Sequence, residues 1–145
     1  MSQLNLDTAN KILAAALAEG RAKKLKVLAV AVLDERGALK AFAAEDGTSL
    51  KRGEIAMGKA MAALDFGVGT RSIDKMAKER GYFVTSAAAS IGGPFIPVQG
   101  GVLIKNDAGD IIGAVGVSGD VSNNDETAAM AGIKAAGLTA DPGSD

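Results

Sequence analysis

The sequence predicts an α+β fold in which one antiparallel β-sheet is covered by α-helices. Two pairs of apolar segments, rich in β-branched residues, are each joined by a short polar turn, as in a β-hairpin. The segments before, between and after these pairs carry apolar residues at helical spacing. Because the strands of a hairpin run antiparallel, the pattern favours an antiparallel sheet over the parallel sheet of an alternating β-α chain.

The composition fits one domain with an aliphatic core. The chain has 145 residues, of which 48% are hydrophobic but only 3% aromatic. The core is therefore expected to consist of Ala, Val, Leu, Ile and Met side chains. No linker interrupts the sequence, so residues 1–145 are expected to form a single domain whose tail, residues 139–145, is frayed.

The first third of the chain predicts a helix followed by a hairpin. Asn5 or Asp7 can cap a helix whose apolar residues recur at helical spacing as far as Gly20. Residues 27–33 then form a nearly continuous apolar run, typical of a buried strand. A polar turn leads to residues 38–43, which are expected to form the returning strand.

Two helices and a long loop are expected in the middle of the chain. Residues 50–66 are rich in alanine and methionine, with helical character, and Gly67 ends them. Thr70 is expected to cap a shorter helix that ends at Gly81. Residues 84–100 are small, mildly apolar and interrupted by two prolines, so they are interpreted as a functional or mobile loop, such as a flap or pocket wall.

The last part of the chain predicts a second hairpin and a final helix. Residues 101–105 and 110–118 flank a turn, and Ser122 with Asp125 has the spacing of a capping box. Asp125 and Glu126 fall in the first turn of that helix, where acidic side chains stabilise the helix dipole. No functional role is needed to explain them.

Charge and residue usage exclude several functions. Sixteen basic residues against seventeen acidic ones leave no positive excess for nucleic acid, and the chain has one tyrosine and no tryptophan to stack on bases. No cysteine or histidine is present, so disulfides, a Ser-His-Asp triad and His- or Cys-based metal sites are excluded, and no metal is expected. Residues 1–7 do not resemble a signal peptide, and no apolar run is long enough to span a bilayer. We expect a cytoplasmic protein with no membrane partner.

Four stretches of the sequence resemble the GlcG/HbpS family, which is also found as the C-terminal part of PduO-type proteins. The stretches are residues 29–37, 54–60, 97–102 and 112–119 running on to Glu126, and the likeness covers residues 5–136 in the family's order. The resemblance implies a profilin-like architecture with about five antiparallel strands flanked by helices. It also implies a homo-oligomer, with octamers among the known assemblies.

The resemblance further implies haem as a ligand, since some family members bind it, in certain cases through a histidine near the first helix. The first helix here offers Asn10 and Lys11, and the chain has no histidine. Iron would therefore need Tyr82 or a methionine as its ligand. Alternatively, the porphyrin would lie on an apolar surface with its propionates on Lys59 or Arg71.

Three side chains are candidates for catalysis. Lys59 follows Gly58 in one of the matched stretches and could be a partly buried ammonium, although a lysine on an amphipathic helix also commonly extends to solvent. Glu54 lies five residues earlier and could act as a base. Tyr82, the single tyrosine, lies near the long loop and could donate a proton or pack as an ordinary aromatic residue.

Five further residues are candidates for ligand binding. Asp46 precedes Gly47, where an aspartate also commonly shapes a turn. Arg71 follows Thr70 and could bind an anion, or it could simply be exposed. Phe95 belongs to the apolar part of the long loop. Gly100 and Gly101 could let the backbone approach a ligand, or they could form a bulge where a strand begins.

Two functions follow from these residues. The first is binding of a small, largely apolar ligand, neutral or anionic and with haem as the example, in a hollow between residues 84–101 and the helix of Lys59. The second is a cofactor-independent isomerase, tautomerase or lyase acting on a small carbonyl or carboxylate. A scaffold without any ligand is the third alternative.

Overall fold

The computed structural model describes residues 4–145, which contain five helices and five strands. In chain order these are α1 (Leu6–Ala22), β1 (Ala29–Asp34), β2 (Leu39–Ala44), α2 (Arg52–Phe66), α3 (Thr70–Glu79), α4 (Gly81–Ile91), β3 (Gly101–Lys105), β4 (Ile111–Ser118), α5 (Ser122–Ala135) and β5 (Thr139–Asp141). None of the helices in these residues is long and apolar enough to cross a membrane.

The five strands form one sheet in the order β2-β1-β4-β3-β5, and every neighbouring pair is antiparallel. The expected α+β class and the antiparallel sheet of five strands are therefore confirmed. The two central strands, β1 and β4, pair with Val32 opposite Val115. They connect the two hairpins, which the sequence had predicted separately.

Alternate side chains of the central strands face two different helical layers. Val30 and Val32 point to the side of α1 and α5, where they pack with Ile12 and Ile133 in the main core. On the other side α2 covers the sheet. There, alanine dominates the contacts, as where Ala56 packs against the alanines of β1.

Glycine in β4 lets α2 lie almost directly on the sheet. A Cβ atom at Gly116 would overlap the carbonyl oxygen of Ala56 in α2. Gly58, on the same helix, is similarly close to Ile96, whose backbone N–H donates to the Gly58 carbonyl at 3.1 Å. The helix therefore contacts the strand on one face and residues 92–100 elsewhere, with little side-chain volume between them.

The prediction of a loop over residues 84–100 is wrong for its first half. Residues 81–91 form α4, because the run of alanines at 87–89 has a high helix propensity. Gly92, with φ of 76°, ends the helix in the left-handed conformation, and its N–H donates to the Ala88 carbonyl. Only residues 92–100 are irregular.

The tail also differs from the expectation of a frayed end. Residues 139–141 form β5, which pairs with β3. Beyond it, the Pro142 carbonyl accepts the Arg71 backbone N–H at 3.1 Å, and the Ser144 N–H donates to the Ser72 hydroxyl oxygen at 2.8 Å. These backbone contacts fasten the tail to the start of α3.

The expected caps of two helices have other roles. Gly69 is the residue that caps α3, and the hydroxyl of Thr70 instead accepts the Gly101 N–H at 2.8 Å and donates to the Gly101 carbonyl. Val121 occupies the cap position of α5. Asn5 does cap α1 as predicted, since its side-chain oxygen accepts the Thr8 N–H at 2.8 Å.

Candidate functional site

Lys59 forms a buried ion pair with Asp125, the residue that sequence analysis explained by the helix dipole alone. The Lys59 ammonium donates to Asp125 Oδ2 at 3.0 Å and to the Val117 carbonyl oxygen at 2.9 Å. Lys59 is 2% exposed and Asp125 1% exposed. The second carboxylate oxygen of Asp125 accepts the Asp120 backbone N–H at 2.9 Å.

Burial and pairing act in opposite directions on this ion pair. Burial lowers the pKa of the Lys59 ammonium, and the Asp125 carboxylate opposes that shift. Burial likewise raises the pKa of the Asp125 carboxyl, which the Lys59 ammonium opposes. The attraction between the two groups offsets the cost of removing each from water. Both groups are thereby occupied by protein partners.

Gly100 and Gly101 press onto the same lysine. Gly100 has a φ of +120°, and a Cβ there would lie 2.8 Å from the Lys59 ammonium nitrogen. A Cβ at Gly101 would overlap the Lys59 carbonyl oxygen. The sequence suggested a close backbone approach to a ligand at these glycines, and the close approach in the structure is to α2. The beginning of β3 therefore covers the Lys59 side chain.

Glu54 and Asp46 lie on the surface. Glu54 is exposed, and its Oε1 is 3.1 Å from the Lys51 ammonium, an exposed pair of small energetic consequence. Asp46 is exposed too, at one end of an open groove of about 430 Å³. The groove is lined by Leu17, Arg21, Val27 and residues 43–46.

Arg71 binds anionic groups of the protein itself. Its Nη2 is 2.9 Å from Glu126 Oε1, and its Nε also donates to the Glu126 carboxylate. Its Nη1 donates to Asp145 Oδ1 at 3.0 Å. The hydrogen bonds that it donates to these two carboxylates raise the pKa of the Arg71 guanidinium. The role predicted for Arg71 was to bind an anionic ligand, whereas in the structure Glu126 and Asp145 pair with its guanidinium.

Tyr82 lies on a largely uncovered surface of α4. Its side chain is 76% exposed, and Val84 is the single buried residue among the described residues of this helix. Arg80, just before the helix, places its guanidinium carbon 4.8 Å from the centre of the Phe83 ring. The start of α4 therefore carries an exposed phenol and, beside it in the sequence, a contacting pair of a cation and an aromatic ring.

Phe95 belongs to a small aromatic cluster that holds α4 to the rest of the protein. Its ring centre lies 5.2 Å from that of Phe66, which is 6.3 Å from that of Phe83. Val84 and Ile73 complete the apolar contacts. Phe95 is half-buried in this cluster, where its visible role is packing.

The structure brings together one part of the predicted site. Lys59, Gly100 and Gly101 are in contact, whereas the contacts of Glu54 and Tyr82 are with other residues. The roles given to these residues in binding and catalysis remain predictions. Sequence analysis missed Asp125 and Glu126 as partners of the two candidate cations. Their only signal was an acidic pair, which a helix N-terminus explains equally well.

Comparison with protein families identifies the relatives of this fold. The family model described as haem degrading protein HbpS-like matches residues 4–134. The chain belongs to the HbpS-like family. The resemblance drawn from the sequence is thereby confirmed, and haem or small-molecule binding is supported at the level of this family. No curated protein matches the chain.

Solved structures of HbpS-like proteins share the fold at low sequence identity. The complex of PduOC with haem has 20% identity and a TM-score of 0.83, and the match covers 95% of this chain and 97% of that one. The Klebsiella pneumoniae protein ORFY has 21% identity and a TM-score of 0.84, with 94% and 92% covered. HbpS has 24% identity and a TM-score of 0.78, with 92% and 90% covered.

Proposed function

We propose that this HbpS-like protein binds a haem-type ligand, a flat apolar molecule with carboxylate groups, on the exposed face of α4. The observation that carries the proposal is the exposed Tyr82 phenol, on the same turn of α4 as Phe83, whose ring contacts the Arg80 guanidinium. Support also comes from the family, and from the haem complex of a protein that shares the fold.

The residues present fit haem only through a ligand other than histidine, because the chain contains none. A tyrosine phenolate is an established ligand of ferric haem. Tyr82 has the exposure that such a ligand needs. Lys59 and Arg71 are paired with protein carboxylates, so Arg80 is the cation left to bind a propionate near Tyr82.

The surface around Tyr82 suits the body of a porphyrin. No charged residue occurs in the sequence between Arg80 and Lys105. Ser86 and Ala89 follow Tyr82 by four and seven positions, so small side chains lie on the same side of α4 as the phenol. A flat ring can approach a helix closely over such residues. Bound haem would supply iron redox chemistry, and Tyr82 and Arg80 would hold and orient it.

A haemin titration tests this function. The wild-type protein is expected to shift the Soret band at micromolar haemin and to show the charge-transfer absorption of a phenolate-iron pair. Tyr82→Phe, which removes one oxygen atom, should abolish that absorption and weaken binding about tenfold. Arg80→Gln should weaken binding with the spectrum unchanged. Lys134→Gln, an exposed change on α5, is the control.

Two results would overturn the proposal. One is the absence of any Soret shift at micromolar haemin with the folded wild-type protein. The other is a Tyr82→Phe variant that binds haemin with the affinity and spectrum of the wild type. Circular dichroism of each variant shows that the protein is folded in either case.

We also infer that the protein forms a homo-oligomer, as the resemblance to the GlcG/HbpS family implies. Phe83 and Ile91 of α4 are exposed to 41% and 40%, and Val121 before α5 to 59%. Apolar side chains grouped on an uncovered helix are typical of an interface. Sedimentation equilibrium should give a multiple of the 14.5 kDa chain mass, with an octamer expected. A single 14.5 kDa species at micromolar concentration would contradict the inference.

A further inference from the structure

We propose that Arg52 and Phe42 form a second binding site, which takes a small carboxylic acid with an apolar body. The site lies at the beginning of α2, beside the edge strand β2. It is separate from the surface of α4. Ten residues of helix, about 15 Å, separate Arg52 from Ala62, which packs in the same apolar cluster as Val84 of α4. The proposal therefore does not rest on haem binding.

Arg52 is a half-buried cation without an anionic partner. Its Nη1 donates to the hydroxyl oxygen of Ser118 at 3.2 Å, and Ser118 is neutral and fully buried. Within residues 4–145, no carboxylate lies at ion-pair distance from Arg52. The protein thus fixes one side of the guanidinium. The paired N–H donors that could bind a carboxylate in a bidentate way have no carboxylate partner within residues 4–145.

Arg71, which is half-buried like Arg52, and the exposed Arg36 are both paired with carboxylates. Arg71 is bound by the Glu126 carboxylate, and Arg36 by the Asp34 carboxylate. Asp125 is committed to Lys59, whose ammonium is close enough to Arg52 for the two positive charges to repel. Glu54, two residues after Arg52, is paired with Lys51. Each of these two acids is paired with a lysine, so the charge of Arg52 has no anionic partner within residues 4–145. An added carboxylate restores the balance of charge.

An exposed aromatic surface adjoins this guanidinium. Phe42 is 42% exposed, and its ring lies against Gly53, the residue after Arg52, so closely that a Cβ there would be 2.8 Å from the ring. Leu50, two residues before Arg52, is 90% exposed. The rest of residues 4–145 therefore leaves both apolar side chains exposed to solvent.

The sheet register fixes how the charged and apolar parts are arranged. Ser118 is opposite Ala29 of β1, and Phe42 is opposite Ala31, two positions further on the same strand. Ser118 and Phe42 therefore point to the same face of the sheet, two strand spacings across and two residues along, which is about 12 Å apart. A carboxylate on Arg52 would place a ring or short alkyl group of its own molecule over Phe42.

The experiment uses benzoate as the probe, with benzyl alcohol and acetate as its neutral and non-aromatic counterparts. The Arg52 Nε–Hε resonance, followed by NMR, is expected to shift saturably with benzoate and to change little with benzyl alcohol. Acetate should bind more weakly than benzoate by about tenfold, because it lacks the apolar body. Arg52→Gln should weaken benzoate binding about tenfold in calorimetry.

Two further variants distinguish the contribution of the Arg52 charge from those of its donor geometry and of the Phe42 ring. Arg52→Lys keeps the charge but loses the planar pair of donors, so its affinity should lie between those of the wild type and Arg52→Gln. Phe42→Ala should weaken benzoate and leave acetate unchanged. Circular dichroism identifies any variant that has lost its fold. The NMR titration of the wild type tests the proposal even if every variant fails to fold.

Three outcomes overturn the proposal. The first is an Arg52 resonance that does not move with benzoate. The second is equal benzoate affinity in the wild type and a folded Arg52→Gln variant. The third is Arg52-dependent self-association that benzoate does not disturb, since the guanidinium would then bind a carboxylate of a second copy.

Discussion

The Lys59 ammonium and the Asp125 carboxylate lie 3.0 Å apart and are both almost completely removed from solvent. The pair joins α2 to the first turn of α5 across the end of β4, where the Val117 carbonyl accepts a second hydrogen bond from the lysine. Elements that are 66 positions apart in sequence are thus connected by a single charged contact.

We predict that Lys59→Met lowers the free energy of unfolding by about 3–5 kcal/mol, because it leaves the Asp125 carboxylate buried without its partner. Urea denaturation measures the change. The Lys59→Met/Asp125→Leu double variant should be less destabilised than the sum of the two single changes. The matched control is Lys51→Met, which removes an exposed pair and should cost less than about 0.5 kcal/mol. A loss of less than about 1 kcal/mol in Lys59→Met would contradict this account of the pair.

Asp120 provides a prediction about acid stability. Hydrogen bonds from the Lys26 backbone, the Asn124 side chain and the Val121 backbone lower the pKa of its carboxyl from 3.8 to about 2. A lowered carboxyl pKa stabilises the folded protein above pH 3.8, and that stability is lost as the pH falls towards 2. Asp120→Asn should therefore lose about 1 kcal/mol at pH 6, with the shift discounted for the partial exposure of the carboxylate.

The difference between wild type and Asp120→Asn should shrink as the pH falls from 4 to 2. Thermal unfolding across that range measures it. Asp107→Asn, an exposed change in the turn between β3 and β4, is the control and should leave the pH dependence unaltered. A constant difference between the two proteins down to pH 2 would show that the carboxylate charge is not responsible.

Gly101→Ala is expected to be strongly destabilising, by about 3 kcal/mol or more. The added methyl group would overlap the Lys59 carbonyl oxygen and lie 2.7 Å from the Thr70 Cγ2 atom. Gly93→Ala is the matched control, because nothing lies within 4 Å of the position of its Cβ. Chemical denaturation compares the two, and equal stability would mean that β3 can move away from α2 at little cost.

Hydrogen exchange should distinguish α4 from α5. One residue of α4 is buried, whereas α5 buries six, including Ala129 and Ile133. In dilute monomeric protein, we expect α4 amides to exchange at least about tenfold faster than those of α5. Added haemin should slow exchange in α4. Equal protection of the two helices without ligand would contradict the view of α4 as a weakly held element.

Most of the fold follows from local patterns in the sequence. The apolar run of β1 and its polar turn define a hairpin, and Asn5 marks the beginning of α1 through a cap that acts within one turn. The two missed elements have other causes. The segment of α4 has serines beside its alanines, and two glycines and a proline follow it at residues 92–94, which resembles a loop. The strand β5 has three residues and is defined by its pairing with β3.

The partners within the candidate site could not be predicted in the same way. Lys59 was singled out from the sequence, but Asp125 was not, because an acid in the first turn of a helix already has a local explanation. The contact depends on how α2 and α5 meet at the end of β4. Similarly, Arg71 was a candidate for binding an anionic ligand, and only the structure shows that its guanidinium is paired with Glu126.

The two edges of the sheet differ in a way that limits how copies of the chain can join. On one side, β5 is short, is followed by Pro142, and its Asp141 is held by Lys105 at 2.7 Å. On the other side, β2 runs for six residues and has no neighbouring strand within residues 4–145. If two copies of the chain paired through their β2 strands, the open edge of each sheet would be covered by the other copy. Growth by that route would stop at a closed pair and could not continue into a filament.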